Sequence, residues 1–433
     1  MAGKLLLINP WIYDFAAYDF WLKPWGFIKI AGILKRSGWD VTFIDTLDRG
    51  HPSVKNDAKT SRNGTGKFHS ENILKPVVLK RIPRKYKRYG IPLAVLKGLL
   101  PEQKFDYILV SSGMTYWYPG VFDMIRILRE KYGGTRIILG GTYASLCYDH
   151  AVKKSGADEV IHTKNLSKLS DALGCGIDLS PGTVLDENAD YGLYNDPVYA
   201  VLRISLGCPY DCVYCAQKQI SPPFMLKNMN RALEEISELY EKGIRKFAFY
   251  DDALLFDQAY IKEYLSNIID INIKAEFYTP NGLHARFISK DVARMMKGSG
   301  FVSPIVSLET VSRDKENTWH SKVTKEEYTE AVNNLKEAGY KKGEFSTYLL
   351  LGAPGSSLIE VKEAVDFVHS QGGMVSLSEF SPVPGTAMAD RYIKEIMDEP
   401  LFHNNSVFPN FSMTDWPDIN RLKLYARGLN SGF

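Results

Sequence analysis

The chain has 433 residues, 45% of them hydrophobic and 24% charged, with a formal net charge of +3. That balance belongs to a globular protein with room for two or three domains of about 150 residues, and it excludes a disordered or low-complexity chain. No segment approaches the roughly 18 uninterrupted apolar residues of a membrane span.

The first element is a strand, KLLLINP; its apolar run is short and lacks a small-residue cleavage site, so it does not read as a leader, and a cytoplasmic location is expected. A helix, PWGFIKIAGILKRSG, and a second strand, WDVTFID, follow. Residues 51–100 then hold twelve Lys and Arg against two acids, Asp57 and Glu71, which leaves the remainder of the chain at −7. This stretch reads as an irregular insertion, longer than an ordinary connection and therefore functional or mobile. Lys80, Arg81, Arg84, Lys85, Lys87 and Arg88, with Tyr86 and Tyr89, could engage phosphates or a nucleic acid. A solvated basic face, or one covering an acidic surface of the same chain, is the favoured reading, and nucleic acid is not the expected partner.

The βα alternation resumes with FDYILVSSG, YPGVFDMIRILREKYGG, TRIILGG, SLCYDHAVKKSG and ADEVIHT. Residues 1–165 are thus expected to form a doubly wound parallel sheet of the Rossmann type, whose ligands bind beyond the carboxyl ends of the strands. Residues 166–197 read as a linker. Over 198–387 the strands AVLRISLG, KFAFYDD, KAEFYTP, SPIVSLET, EFSTYLLLG and MVSLSEFSP alternate with helices, RALEEISELYEKG and YIKEYLSNIID among them. That alternation implies βαβ units around a parallel sheet, with an active site at its carboxyl edge. The end, 388–433, reads as a helical cap: MADRYIKEIMDE and INRLKLYARGLN, joined by the aromatic-rich FHNNSVFPNFSMTDWPD.

Directly after the first strand of the second half comes LRISLGCPYDCVYCAQKQI, with Cys208, Cys212 and Cys215. Three cysteines in eight residues read as a metal site. A tetrahedral structural zinc needs four ligands, and neither Cys175 nor any nearby histidine supplies the fourth. An odd count at tight spacing in a reducing compartment argues against disulfides. What remains is a [4Fe-4S] cluster with three irons on cysteine and one open. A cluster used only for structure or electron transfer is the bland alternative, although such sites normally supply four cysteines.

The spacing, with Tyr214 before the last cysteine, resembles the C-x3-C-x-aromatic-C motif of the radical SAM superfamily. That resemblance implies a partial (β/α)6 barrel and S-adenosylmethionine (SAM) chelated at the open iron. One-electron cleavage then gives a 5′-deoxyadenosyl radical that abstracts hydrogen from an unactivated carbon. It implies an electron donor such as flavodoxin or ferredoxin. It also implies SAM contacts from Tyr214, from Asp252 in YDD, and from Asn281 in TPNGLHAR. Ser307 and Glu309 in VSLET correspond to the ribose-binding segment, Leu351 and Gly352 in LLLGAPG to the adenine turn, and Pro382 to the segment after the sixth strand. Asp252 serves equally well as a helix N-cap. His284 is a candidate proton donor or substrate contact, more often structural in such a loop. Glu379 points into the barrel or is a solvated edge with even weight.

The first half most resembles the cobalamin-binding domains fused to radical SAM barrels, on VSSGMT and LGGTYAS. Under that resemblance Ser111, Ser112, Thr115, Gly140, Gly141 and Thr142 would approach the corrinoid. The D-x-H-x-x-G signature is absent, since the segment reads DTLDRGH, and a packed domain without ligand would look much the same. His162, Thr163, Lys164 and Asn165 stand where relatives often have Gly-Glu-x-Glu. The resemblance covers nearly the whole chain and implies cobalamin-dependent methyl transfer to a small or medium organic substrate, or to a flexible segment of a larger one. The alternatives are a radical rearrangement, cyclisation or oxidation, with or without cobalamin, and a nucleic-acid-binding iron-sulfur protein.

Overall fold

The computed structural model describes residues 3–54, 59–319, 323–407 and 416–433, and the chain divides into two compact units. The first comprises Met1–Ala200, Gln219–Pro222 and Tyr392–Asn404. Its centre is a sheet of β1 (Lys4–Asn9), β2 (Asp40–Asp45), β3 (Tyr107–Val110), β4 (Arg136–Leu139) and β5 (Glu159–Val160). The order is β5-β4-β3-β1-β2, and every pairing is parallel. Leu5, Leu6, Leu7 and Ile8 are all fully buried, as a strand covered on both faces requires. The direction of winding reverses between β1 and β3, which opens a crevice at their carboxyl ends.

The basic insertion is more ordered than its composition suggests. Lys87–Tyr89 pairs antiparallel with both Ile12–Asp14 and Ser70–Asn72, and Gly66–Lys67 pairs with Tyr18–Asp19. Tyr86 and Tyr89, which the sequence offered only as possible phosphate or nucleic-acid contacts, are buried; their hydroxyls donate to the carbonyls of Tyr13 at 3.0 Å and Phe15 at 3.1 Å. The partners lie more than 70 residues away, so no local pattern announces them. Beside this sheet a buried carboxylate gathers distant stretches. Asp19 accepts from Arg49 Nε, Leu22 N and the Tyr199 hydroxyl, each at 2.6 Å, and Arg49 also donates to Thr60 and to the Gly64 carbonyl.

Residues 166–197 fold against the same unit. Helices Ser167–Leu173 and Pro181–Asp186 form there, Leu185 and Tyr194 are buried, and Lys29 donates to the carbonyls of Leu185 and Glu187.

The second unit comprises Val201–Lys218, Pro223–Arg391 and Asn405–Phe433. Its strands are β6 (Ala200–Leu202), β7 (Lys246–Phe249), β8 (Glu276–Tyr278), β9 (Leu283–His284), β10 (Ile305–Glu309), β11 (Ser346–Leu351) and β12 (Met374–Glu379). They run as β6-β7-β8 and β9-β10-β11-β12, with parallel pairing along β7-β8 and β9-β10-β11-β12. A parallel bridge from Phe277 to Phe301 links the two runs. Helices Met229–Glu241, Gln258–Asp270, Lys290–Ser299, Lys325–Glu337 and Leu358–Ser370 alternate with the long strands. Each is capped by the side chain before it, Asn228, Asp257, Ser289, Thr324 and Ser357, and the last two caps are capping boxes closed by Glu327 and Glu360. This is the alternating, parallel α/β arrangement expected of the barrel half. Its interior stacks Phe249 on Phe301 and Phe247 on Phe277, ring centroids 5.6 and 5.8 Å apart.

The C-terminal stretch differs from a two-helix cap. MADRYIKEIMDE yields a 3-10 turn at Ala389–Arg391 and a five-residue helix at Lys394–Asp398, stopped before Pro400. Tyr392–Asn404 belongs to the first unit, where Glu399 accepts from the Tyr118 hydroxyl at 2.9 Å and Asn404 donates to Asp14 at 2.8 Å. The helix Trp416–Asn430 belongs to the second. Glu379 pairs with Lys423 on that helix. Residues 408–415 of the aromatic-rich loop lie outside the described residues. Among the described residues no helix is long and apolar enough to cross a membrane.

Candidate functional site

The second unit carries its chemistry at the carboxyl ends of its strands. After β6 the chain pairs Ser205–Leu206 with Met225–Leu226 and then enters the loop bearing Cys208, Cys212 and Cys215. Cys212 is buried, Cys208 half-buried and Cys215 exposed, and none is in a disulfide. The loop is pinned by Val213 N to the Trp319 carbonyl at 3.2 Å, by Met388 N to the Val213 carbonyl at 2.9 Å, and by Cys215 N to the Cys212 carbonyl at 3.0 Å. Among the described residues no three His, Cys, Asp or Glu side chains are gathered as a preformed metal site. The donor set nevertheless fits an iron-sulfur cluster with one open iron: these are the unit's only cysteines. The other two belong to the first unit, where burial pushes the Cys147 thiol up to about 12, away from the thiolate a metal needs.

Tyr214 sits within this loop, where it feels the charge of Glu309 at the end of β10. Its hydroxyl is buried; burial first, then the negative charge of Glu309 and Cys212, holds it well above the ordinary phenol range. Glu309 ends β10 with φ +68°, at a register shift between Ser307 and Glu309. A left-handed glutamate costs about 1–3 kcal/mol and persists where the surroundings enforce it. Its charge also raises the Tyr348 phenol, after burial. Ser307, two residues earlier, is buried with an Oγ that makes no hydrogen bond among the described residues.

At the end of β7 the two aspartates divide. Asp251 is buried, and its Oδ1 accepts from Ile204 N at 3.0 Å, Ser205 N at 2.6 Å and Ser205 Oγ at 2.7 Å. Its Oδ2 is buried with no hydrogen bond among the described residues, and burial raises the acid to about 7. Asp252 accepts from Gln217 at 2.6 Å and lies 3.7 Å from Arg203. The N-cap alternative for Asp252 falls, because the next helix is capped by Asp257. Asn281 donates to the Tyr250 carbonyl at 2.8 Å, which ties the loop after β8 to β7. His284 is buried in β9 and meets the Tyr210 ring edge-on at 4.8 Å, so it packs on the cysteine loop itself. Leu351 and Pro382 are buried, and Gly352, at φ +79°, has nothing within 4 Å of where a Cβ would stand. Sequence reasoning missed Arg203, Gln217 and Tyr210, and of the paired aspartates of YDD it singled out Asp252 rather than the buried Asp251.

The crevice of the first unit is already cross-linked. Ser111 donates to Asn9 at 2.6 Å, Asn9 to Asp45 at 2.7 Å, and the Tyr194 hydroxyl to Asp45 at 2.7 Å. Ser112 donates to the Gly140 carbonyl at 2.7 Å and accepts from Ala144 N at 3.1 Å. Thr115 meets His403 at 3.2 Å, and Thr142 N donates to the Ser112 carbonyl at 2.9 Å. Gly141, at φ +100°, stands where a Cβ would come within 2.3 Å of that carbonyl, whereas a Cβ at Gly140 would meet only the Ile161 carbonyl, at 3.7 Å. Leu47, in the position the D-x-H-x-x-G pattern gives to histidine, is buried among Ile12, Phe68 and Tyr89.

Residues 202–368 match the Radical SAM superfamily. A domain of that kind implies a [4Fe-4S] cluster and SAM. Among curated proteins, the chain is 26% identical over 202 residues to an uncharacterized methyltransferase of Pyrococcus horikoshii, covering 44% of this chain and 41% of that one. It is 23% identical over 210 residues to the ribosomal protein uS12 methylthiotransferase RimO of Bacteroides thetaiotaomicron, covering 46% and 48%. The chain thus spans about half the length of the curated relatives it matches. In fold it resembles the radical SAM methyltransferase TsrM of Kitasatospora setae solved with tryptophan and a SAM analogue, with TM-score 0.67, 14% identity, and coverage of 89% of this chain and 75% of that one. The structure of TsrM with cobalamin and a [4Fe-4S] cluster gives TM-score 0.66, 14% identity, and coverage of 90% and 77%.

Proposed function

We propose, from the premise that residues 202–368 are a radical SAM domain, that the chain is a radical SAM enzyme which activates an unreactive C–H bond and methylates it with cobalamin as methyl carrier. One observation carries the reading. The unit's only three cysteines share one loop, and beside it stands a carboxylate whose backbone is strained to φ +68°. When bound, the cluster and SAM supply a reducing electron and a carbon-centred radical, and cobalamin a transferable methyl group.

Cys208, Cys212 and Cys215 would hold the cluster. Asp252 and Asn281 would meet the amino-acid end of SAM, Ser307 and Glu309 its ribose, and Leu351, Gly352 and Pro382 its adenine. Tyr214 and His284 brace the loop that carries the cysteines. The buried Ser307 hydroxyl, which makes no hydrogen bond among the described residues, and the Glu309 carboxylate are groups that a polyhydroxyl ligand would satisfy. In the first unit, Ser111, Gly140 and Thr142 at the crevice would serve cobalamin; Ser112, Thr115 and Gly141 would shape the crevice from beneath, and Leu47 offers no axial ligand.

The test is anaerobic reconstitution with iron, sulfide and hydroxocobalamin. The expected result is a cobalamin spectrum that survives desalting and 5′-deoxyadenosine on reduction with SAM. Turnover without retained cobalamin would favour rearrangement or oxidation instead, and failure to cleave SAM would remove the reading altogether. Glu309 gives a sharper check. Glu309→Gly relieves the left-handed strain, so the variant is expected to melt higher while SAM affinity falls about ten- to hundredfold. Thermal melts and equilibrium SAM binding measure the two effects separately.

A further inference from the structure

The basic insertion holds a feature that the catalytic reading does not use. Residues 73–86 form a loop closed at its base by Ile73 N donating to the Tyr86 carbonyl at 3.1 Å. Leu79 and Ile82 plug it from within, both buried, and Lys75 is tied to the Ile82 carbonyl. The 3-10 turn Val77–Leu79 then turns the intervening aliphatics outward. Leu74 is 94% exposed, Val77 74% and Val78 40%. Around them Lys80, Arg81, Arg84 and Lys85 are exposed, and no acid occurs from 72 to 101.

Each property is a cost to a protein in water. Aliphatic side chains held outward on a fixed loop forgo burial, and clustered like charges repel. The two costs vanish together at one kind of surface. At an anionic bilayer the aliphatics enter the boundary between headgroups and acyl chains while the cations meet lipid phosphates. A nucleic acid fits less well, because its bases are held by exposed aromatic rings, and the loop's own aromatic, Tyr86, is buried with its neighbour Tyr89. An acidic protein would use the charges but gain nothing from a protruding leucine and two valines without an apolar cleft to receive them.

We propose that the loop 73–86 docks this protein peripherally on membranes rich in anionic lipid, with Leu74, Val77 and Val78 as the inserted tip and Lys80, Arg81, Arg84 and Lys85 as the headgroup contacts. The docking is independent of the cluster and of cobalamin, so its test does not depend on turnover.

Purified full-length chain is sedimented with vesicles of phosphatidylglycerol and phosphatidylcholine, and with vesicles of phosphatidylcholine alone. The wild type is expected to pellet with the first and not the second. The double variant Leu74→Ser/Val77→Ser, whose charge is unchanged, is expected to bind about tenfold more weakly, and Lys80→Glu/Arg81→Glu at least as much more weakly. Both pairs are exposed, and an unaltered far-UV spectrum confirms that each variant folds. Absence of binding to anionic vesicles would overturn the proposal. So would binding that the serine variant retains in full, since charge alone would then account for it. Tighter capture by single-stranded RNA or by a polyglutamate peptide, indifferent to the serine changes, would overturn it in favour of those partners.

Discussion

Replacing Cys212 by alanine is expected to abolish the brown chromophore of the reconstituted protein and to lower adenosyl cleavage by about three orders of magnitude, to background. The ligands act as a unit, so the single change should cost as much as replacing Cys208, Cys212 and Cys215 together. Cys147→Ala is the control. That thiol is buried in the first unit and kept protonated, and its loss should leave iron content unchanged. Iron and sulfide analysis, electron paramagnetic resonance of the reduced protein and 5′-deoxyadenosine release give independent readouts. A Cys212→Ala protein that still holds a full cluster and cleaves SAM would refute the ligand assignment.

Changing Asp251 is expected to have the second-largest effect, on the fold beneath the cysteine loop. Asp251→Ala leaves two backbone donors and the Ser205 hydroxyl buried without acceptors, at roughly 1–3 kcal/mol each. Ser205 lies three residues before Cys208, so disorder there spreads to the site. The conservative Asp251→Asn keeps an acceptor at Oδ1 and separates packing from charge. Burial raises the acid from 3.8 to about 7 in the folded protein, so folding favours the protonated form. Its stabilising contribution is complete below the unfolded value and disappears as pH rises through about 7, the reverse of a salt-bridged carboxylate. Wild-type stability should therefore fall by a few kcal/mol across that window, with denaturant midpoints as the measure, whereas Asp251→Asn should be flatter. A wild-type midpoint that rises from pH 4 to 7 while the variant's does not would contradict this assignment.

Legibility followed the range of the interactions. The cysteine loop was plain because its three donors lie within eight residues, and the helices of the second unit because cap and apolar period are both local, as Ser357 and Glu360 show. Glu309 was readable as a carboxylate at a strand end. Its left-handed backbone was not, since φ there follows from the register shift against β11. The basic insertion reads as irregular in sequence because Lys87–Tyr89 finds its partner at Ile12–Asp14, and composition carries no trace of a pairing across so long a separation. The same holds for Glu379, whose cation comes from Lys423. Asp251 and Asp252 are adjacent in sequence and opposite in environment, a distinction that only burial draws.

The carboxylate of Asp19 has a consequence for biogenesis. Its Tyr199 contact spans 180 positions, whereas the Arg49 contact spans 30. On the ribosome the near partner emerges early and can engage while the chain is still growing. The far one cannot arrive until almost the whole first unit has been translated, and loop closure over that span is slow. The Asp19 latch of the nascent chain must therefore stay open until Tyr199 has left the exit tunnel.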